Sequence, residues 1–439
     1  MIRGARRLAV FFAAAFVIRL LFGLAFDFWG DDELQIYLIG LQFYSTGRWP
    51  LFGPDVVYTE TRVPGGLLGL LVGGPFWVAP FPESPYVLLN VLSLAALGLL
   101  GWYIGRRLPN VPRWFLWTWI CFSPWTLDVS AHVINTSYAL IGSIVFVVSA
   151  CEIAPALRIG AMSRRLAFAG LGFGLIWVAQ LHLSAAFLAV IAAGVIALAA
   201  IENAPATARG LLWCAAGAAL SGLTLLPTLV ALGPAAVMSR AGENVVFEPG
   251  NLVRLPQVVA QVLSLATFEL PRFMGPSTAD RLAFLARFPW AVPAIAVAVA
   301  LGSAQVVVLL VELFRSHPDR PGWSAVRRAM GVVLALLVLS FAFSVRAPAS
   351  HAYYVLLPLV LVYAFHVWDG LLRHTWARNA AVVLLVAGAM AHLALGIRNF
   401  QDRSMYSRRD VVVRAIQERN YRLVGERRTD AWAPERRTP

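Results

Sequence analysis

Residues 8–35 read LAVFFAAAFVIRLLFGLAF followed by DFWGDDELQ. The first part, Leu8 to Phe26, is an apolar run close to the roughly 20 residues a helix needs to cross a bilayer. It is longer than the apolar core of a typical signal peptide and ends in Asp27-Phe28-Trp29 rather than at a small-residue cleavage site. It therefore reads as a retained first span. The second part places four carboxylates, Asp27, Asp31, Asp32 and Glu33, within seven residues. Charged residues are only 13% of the chain, so this density is unusual. A carboxylate at a membrane boundary is costly unless it is solvated, paired or used.

Outward from this stretch, the chain of 439 residues is 59% hydrophobic, and apolar runs recur from end to end. That pattern predicts an all-α polytopic membrane protein of about eleven transmembrane helices. The net charge of +13 comes from arginine alone, because the chain has no lysine. The arginines fall in short clusters between apolar runs, as the positive-inside rule distributes them, and not in a patch suited to nucleic acid. Cys121, Cys151 and Cys214 lie in or beside apolar spans without CxxC or Cys/His spacing, so they predict buried thiols and no zinc site.

Arg3, Arg6 and Arg7 predict a cytoplasmic N-terminus. The expected spans are 8–26, 86–103, 114–125, 137–154, 166–179, 185–201, 211–232, 290–313, 331–345, 353–368 and 380–397. A first outer loop covers 27–84 and a second long outer segment 233–288. Residues 1–397 form one transmembrane unit, followed by a basic tail over 398–439. Within the first loop, Leu67 to Ala79 is too short to span and reads as interfacial or re-entrant. The expected inner termini and loops carry 16 arginines, whereas the short outer loops carry Arg48, Arg62 and Arg346. An odd number of spans places the tail outside, although it holds 11 arginines.

After Gly30 the pattern turns helical, with Leu34, Tyr37, Leu38, Leu41 and Tyr44 on one stripe. It predicts an amphipathic helix lying on the outer surface, its N-terminus carrying the acids. Asp32 with Gln35 three residues on has the spacing of a capping box, and the acids suit the positive end of the helix dipole. One carboxylate fills that role, so the excess points to chemistry. A carboxylate at the lipid–water boundary can take a proton from an acceptor hydroxyl while a lipid-linked sugar is attacked at its anomeric carbon. A departing phosphate then needs a cation, for which an arginine fork is suited. Arg62, Arg346, His351, Gln180 and His182 all fall on the outer side in this topology. Each also has a plainer reading: His182 as an interfacial hydrogen bonder, Arg346 as the end of a span. Asp128 and His132, four apart, make a thin metal site.

Asp31-Asp32-Glu33, the run Tyr37 to Gly47, and Tyr58-Thr59-Glu60-Thr61-Arg62-Val63-Pro64-Gly65 resemble the first loop of GT-C superfamily glycosyltransferases. More narrowly they resemble the glycosyltransferase family 39-like branch of protein mannosyltransferases and aminoarabinose transferases. The resemblance also covers Ser123-Pro124 to Asn135, Gln180-Leu181-His182-Leu183-Ser184, and His351-Ala352-Tyr353-Tyr354 to Pro358. It departs where Lys-Pro-Pro is common in the group, since Arg62-Val63-Pro64 stands there, and where many relatives carry an acid at the position of Asn135. That second departure weighs against a metal, and no metal or other cofactor is assigned.

The resemblance implies an inverting membrane glycosyltransferase using a polyprenyl-phosphate sugar on the outer face of a bacterial inner membrane. The acceptor would be a lipid, a polysaccharide or a protein. Asp32 matches the base of the group's acidic pair, with Asp31 and Glu33 in support. Arg62, Arg346 and His351 fall around the donor phosphate, and Tyr354, His182 and Gln180 at the substrate. The rival from another class is a transporter or lipid flippase. It predicts internal repeats and ionisable residues inside spans. No repeat is visible, and the main in-span charges are Arg19 and Glu312, which read as snorkelling or helix-end residues.

Overall fold

The structure, a computed structural model, describes residues 2–27, 29–56, 61–238, 245–265, 267–317, 320, 322–348, 350–402 and 404–425. The chain begins with α1 (Ile2–Phe26) and α2 (Asp31–Thr46). A two-stranded antiparallel hairpin follows, β1 (Phe52–Val56) and β2 (Thr61–Pro64), and then the short helices α3 (Leu67–Gly73) and α4 (Pro75–Val78). Next come α5 (Ser84–Arg107), α6 (Arg113–Phe122), α7 (Pro124–Ala131) and α8 (Asn135–Ile153). They are succeeded by α9 (Arg164–Ala179), α10 (Ala185–Glu202), α11 (Ala204–Gly222) and α12 (Leu226–Met238). Short helices α13 (Leu255–Leu263), α14 (Leu270–Met274) and α15 (Thr278–Arg287) fill the second long segment. The chain then runs through α16 (Val292–Phe314), α17 (Trp323–Ala342), α18 (Leu357–Leu371), α19 (Thr375–Asp402) and α20 (Arg409–Gln417).

Nine helical segments among the described residues are long and apolar enough to cross a bilayer. Contacts at the helix ends sort the bundle into two faces. On one, Arg107 donates to His366 (3.2 Å) and to the Leu157 carbonyl (2.6 Å), and Arg158 pairs with Glu202 (2.8 Å). On the other, Val133 N–H donates to Asp27 (3.4 Å), Asn399 to the Phe26 carbonyl (2.9 Å), and Thr224 to Gln180 (2.7 Å). For the chain to alternate between these faces, α6 with α7, and α9, must also traverse the bundle. That gives the eleven crossings expected from the sequence. The 16 residues of α9 span only about 24 Å, and its burial between α8 and α11 removes the need to reach lipid headgroups at both ends.

Glycine permits that burial. A Cβ at Gly217 would run into the Ala169 carbonyl of α9, and one at Gly172 into the Cys214 carbonyl of α11. Such backbone-to-backbone approach is how helices pack where no hydrophobic gain is available in lipid. Gly217→Leu is expected to push α9 from α11 and destabilise the protein by about 2–3 kcal/mol, the usual cost of overpacking. A melting temperature in detergent equal to wild type would contradict this packing.

Three expectations change. First, α2 is not an interfacial helix. Ile36, Tyr37, Leu38, Ile39 and Leu41 are all buried, so residues on every side of it are covered. The hydrophobic stripe was read correctly, but β1 and α3 cover the second face as well. Gly40 and Gly73 let α2 and α3 touch backbone to backbone, so α3, expected at the interface, is buried too. Second, the third span is not one helix: Ser123 ends α6 and, accepting a hydrogen bond from the Thr126 N–H, begins α7. Third, the last crossing continues to Asp402, past its expected end at residue 397. Val412, Ala415 and Ile416 of α20 are buried, and Arg409 pairs with Glu83 (2.9 Å). The tail, as far as residue 425, therefore lies on the same face as the first loop.

Candidate active site

Asp27 sits immediately after α1 and is fully buried. One carboxylate oxygen accepts the Val133 N–H from the turn before α8 (3.4 Å). Burial pushes its pKa up to about 6, against the Tyr86 hydroxyl and the Val133 N–H, which hold it down. Four helices converge here, because α1 ends, α5 contributes Tyr86, α8 begins, and Asn399 of α19 ties down the Phe26 carbonyl. His132 packs its ring 4.5 Å from Phe26, and burial drives it down to about 3, with His392 adding to the effect, so it is neutral.

Four residues on, α2 starts with its acids in the first turn. Its N-cap is Gly30, which has no side chain to offer, and the Glu33 carboxyl three residues on meets the Gly30 N–H. The Asp32–Gln35 capping box is thus not formed. Gln35 is committed elsewhere: its amide donates to the Asp55 carboxylate, and the Asp55 N–H donates back to it (3.2 Å). Asp32 is exposed, whereas Glu33 is part-buried. Burial and the neighbouring Asp27 charge push Glu33 up to about 8, against the N–H groups of Glu33 and Gly30, and Asp32 raises it further. At neutral pH Glu33 carries its proton. Two adjacent carboxyl groups on one helical turn thereby face different environments.

The Gln35–Asp55 pair fastens the hairpin to α2 and brings in Arg62, which stands opposite Asp55 in register. The Arg62 guanidinium lies over the Phe52 ring, 4.4 Å from its centre. Behind the hairpin, Gly65 abuts the Gln180 side chain. The Gln180 amide is buried, donating to the Ser221 carbonyl (2.9 Å) and accepting from Thr224 (2.7 Å), so it locks the α9–α10 turn to α11. His182 is drawn down to about 4 by burial, and its Nδ1 accepts the Ser184 N–H (3.1 Å). It is neutral and therefore a hydrogen-bonding group, not a cation. Asn135 donates to the Leu181 carbonyl (3.1 Å), joining the second loop to the same turn.

Arg346 is exposed in the connection after α17, and Tyr354 is buried in the 3-10 turn Ser350–Leu356, which Ser143 of α8 holds through the Val355 carbonyl. The side chains of Asp31, Asp128 and His351, and all of Tyr58-Thr59-Glu60, lie outside the described residues. Among those described, no group of three or more His, Cys, Asp or Glu side chains converges as a metal site would require. The sequence argument gave Asp27 no role of its own. Its signal was available, since a carboxylate that directly ends a transmembrane run must be solvated or enclosed.

Fold and site together define an all-α polytopic membrane protein whose first loop sets a carboxylate cluster against the ends of its helices. No protein-family model and no curated protein matches the sequence. Among solved structures the chain is similar to the apo crystal structure of ArnT from Cupriavidus metallidurans. That similarity has 12% sequence identity and a TM-score of 0.39, covering 90% of this chain and 78% of that chain.

Proposed function

We propose that the protein is a membrane glycosyltransferase of the GT-C type, moving a sugar from a polyprenyl-phosphate donor to an acceptor hydroxyl. The observation that carries this reading is the pair Asp32 and Glu33. One carboxyl is exposed to a substrate, and its neighbour is held protonated by burial. Environments that set neighbouring carboxyl groups apart leave one free to act as a base and keep the other neutral as a hydrogen-bonding group. Asp32 takes the proton of the acceptor hydroxyl as its oxygen attacks the anomeric carbon. The bond to the phosphate breaks on the opposite side, and the configuration inverts. Arg62, fixed against α2 by the hairpin, is assigned to the leaving phosphate, with Arg346 and His351 as further cations. Asp31 supports the base, Tyr354 and His182 are substrate-side groups, and Gln180 shapes the turn. No metal is assigned to the step. The reaction is placed on the outer face of a bacterial inner membrane.

The transporter reading needs mobile charge inside the spans. Arg19 and Glu312 are the main charges there, and both are held. Arg19 binds backbone carbonyls, and Glu312 contacts Arg315 (3.2 Å) and His317 (2.6 Å). The test of the enzyme reading is transfer by membranes given a panel of radiolabelled polyprenyl-phosphate sugars, wild type against Asp32→Asn. If no donor in the panel is consumed, the reading fails.

Glu33 supplies a pH signature. Its folded value of about 8 lies above the ordinary 4.5, so the folded state binds the extra proton. Its contribution favours folding most below pH 4.5 and is lost as pH rises through 8. The melting temperature is expected to fall between about pH 5 and 8 and to level off above, while transfer declines as pH passes 8. Glu33→Gln, which mimics the protonated form, should flatten both. An unchanged alkaline limb in that variant would remove Glu33 from this role.

A further inference from the structure

The C-terminal end of α2 meets the segment after α20 across a cleft of about 380 Å³. Arg48, Arg419 and Arg422 line it, together with Gln42, Asn420 and two hydroxyl-bearing residues, so among the described residues the lining is cationic or neutral and polar. The tail is seated there by the Arg409–Glu83 pair and by the buried side chains Val412, Ala415, Ile416 and Val424.

The end of α20 has an unusual feature. Arg419 N–H donates to the Ile416 carbonyl (3.3 Å) and Asn420 N–H to the Ala415 carbonyl (2.8 Å). This pairing is that of a Schellman motif, whose left-handed position is normally glycine. Here Arg419 occupies it, with a φ of 49°. A residue with a Cβ is strained in that conformation, and such strain persists where the side chain has a use. The Arg419 guanidinium lies over the Tyr44 ring of α2, 5.3 Å from its centre, at the edge of the cleft.

We propose that this cleft binds a phosphate-bearing group. Three guanidinium groups on one concave surface suit the charge of phosphate oxygens, and the Gln42 and Asn420 amides suit neighbouring hydroxyls. Thr46 is roughly 20 Å along α2 from Asp32, at 1.5 Å per residue, so the cleft is a separate site from the acid cluster. The same chemistry is offered by a phosphorylated saccharide and by a phospholipid headgroup. Because the arginines are exposed, binding weakens with added salt.

The test is inorganic pyrophosphate binding, measured by calorimetry on the full-length protein in nanodiscs. Arg419→Gly relaxes the backbone, so it is expected to melt no lower than wild type while weakening pyrophosphate at least about tenfold, one guanidinium contact or 1.4 kcal/mol. Arg48→Gln tests the opposite wall with the same expected loss, and Arg414→Gln, outside the cleft, should bind as wild type does. Weaker binding in discs containing phosphatidylglycerol than in phosphatidylcholine discs assigns the cleft to a lipid headgroup. Equal binding assigns it to a phosphorylated saccharide. Wild-type affinity in both Arg419→Gly and Arg48→Gln, or no binding by wild type at about 1 mM, overturns the site.

Discussion

Asp32→Asn is expected to insert and melt like wild type yet transfer sugar about 10²–10⁴-fold more slowly, the usual contribution of a positioned general base. The carboxylate is exposed on the first turn of α2, so its replacement removes charge without opening a buried gap. Asparagine keeps the shape and loses only the proton acceptor. The loss should fall on kcat more than on KM, because the proton moves in the transition state. Variants of the neighbouring acids separate the roles. Glu33→Gln should retain activity at neutral pH, since Glu33 is already protonated there. Should Asp32→Asn turn over at the wild-type rate while Glu33→Gln is inactive, the base is Glu33 and the roles are reversed.

Arg19→Met is expected to cause the largest loss of stability, about 3–5 kcal/mol, with a sharp drop in folded yield. The Arg19 guanidinium is fully enclosed among α1, α6 and α7. It donates to the Cys121 carbonyl (2.7 Å), the Thr126 carbonyl (3.3 Å), and the Ser130 carbonyl (3.3 Å) and hydroxyl (2.5 Å). The need for it arises at the break between α6 and α7. Ser123 ends α6 and Pro124 has no N–H, so the Cys121 carbonyl at the end of α6 lacks the partner that a continuous helix provides, and the Ser130 carbonyl lies at the end of α7. In a bilayer those carbonyls have no water to turn to. Arg19 is therefore neither snorkelling nor near a helix end in effect; it is the donor set for a broken crossing. Arg19→Lys, with one donor centre in place of a fork, should recover part of the loss. A methionine variant that melts with wild type would mean the break finds other partners.

These two residues show where sequence reading reached and where it stopped. The exposed acid at Asp32 was legible because its signal is local: an acid cluster follows an apolar run. Arg19 was misread because one arginine in a span looks alike whether it reaches for the interface or for a neighbour's carbonyls. The neighbour is more than 100 residues away. Gln35 carries the same lesson. Its spacing from Asp32 fits a cap, but the hairpin offers it an acceptor and a donor at Asp55.

The sequence alone determined the class of the fold and the carboxylate loop. Hydrophobic run length and arginine bias are set by the bilayer, which acts on each segment independently of the others. Only the tertiary structure decided which faces of α2 are buried, that the tail docks on the first loop, and that Asp27 lies enclosed against Tyr86. It also decided that Glu33 holds a proton to about pH 8. Those outcomes depend on desolvation and on partners distant in the chain, and burial is a property of what surrounds a residue, which no local spacing encodes.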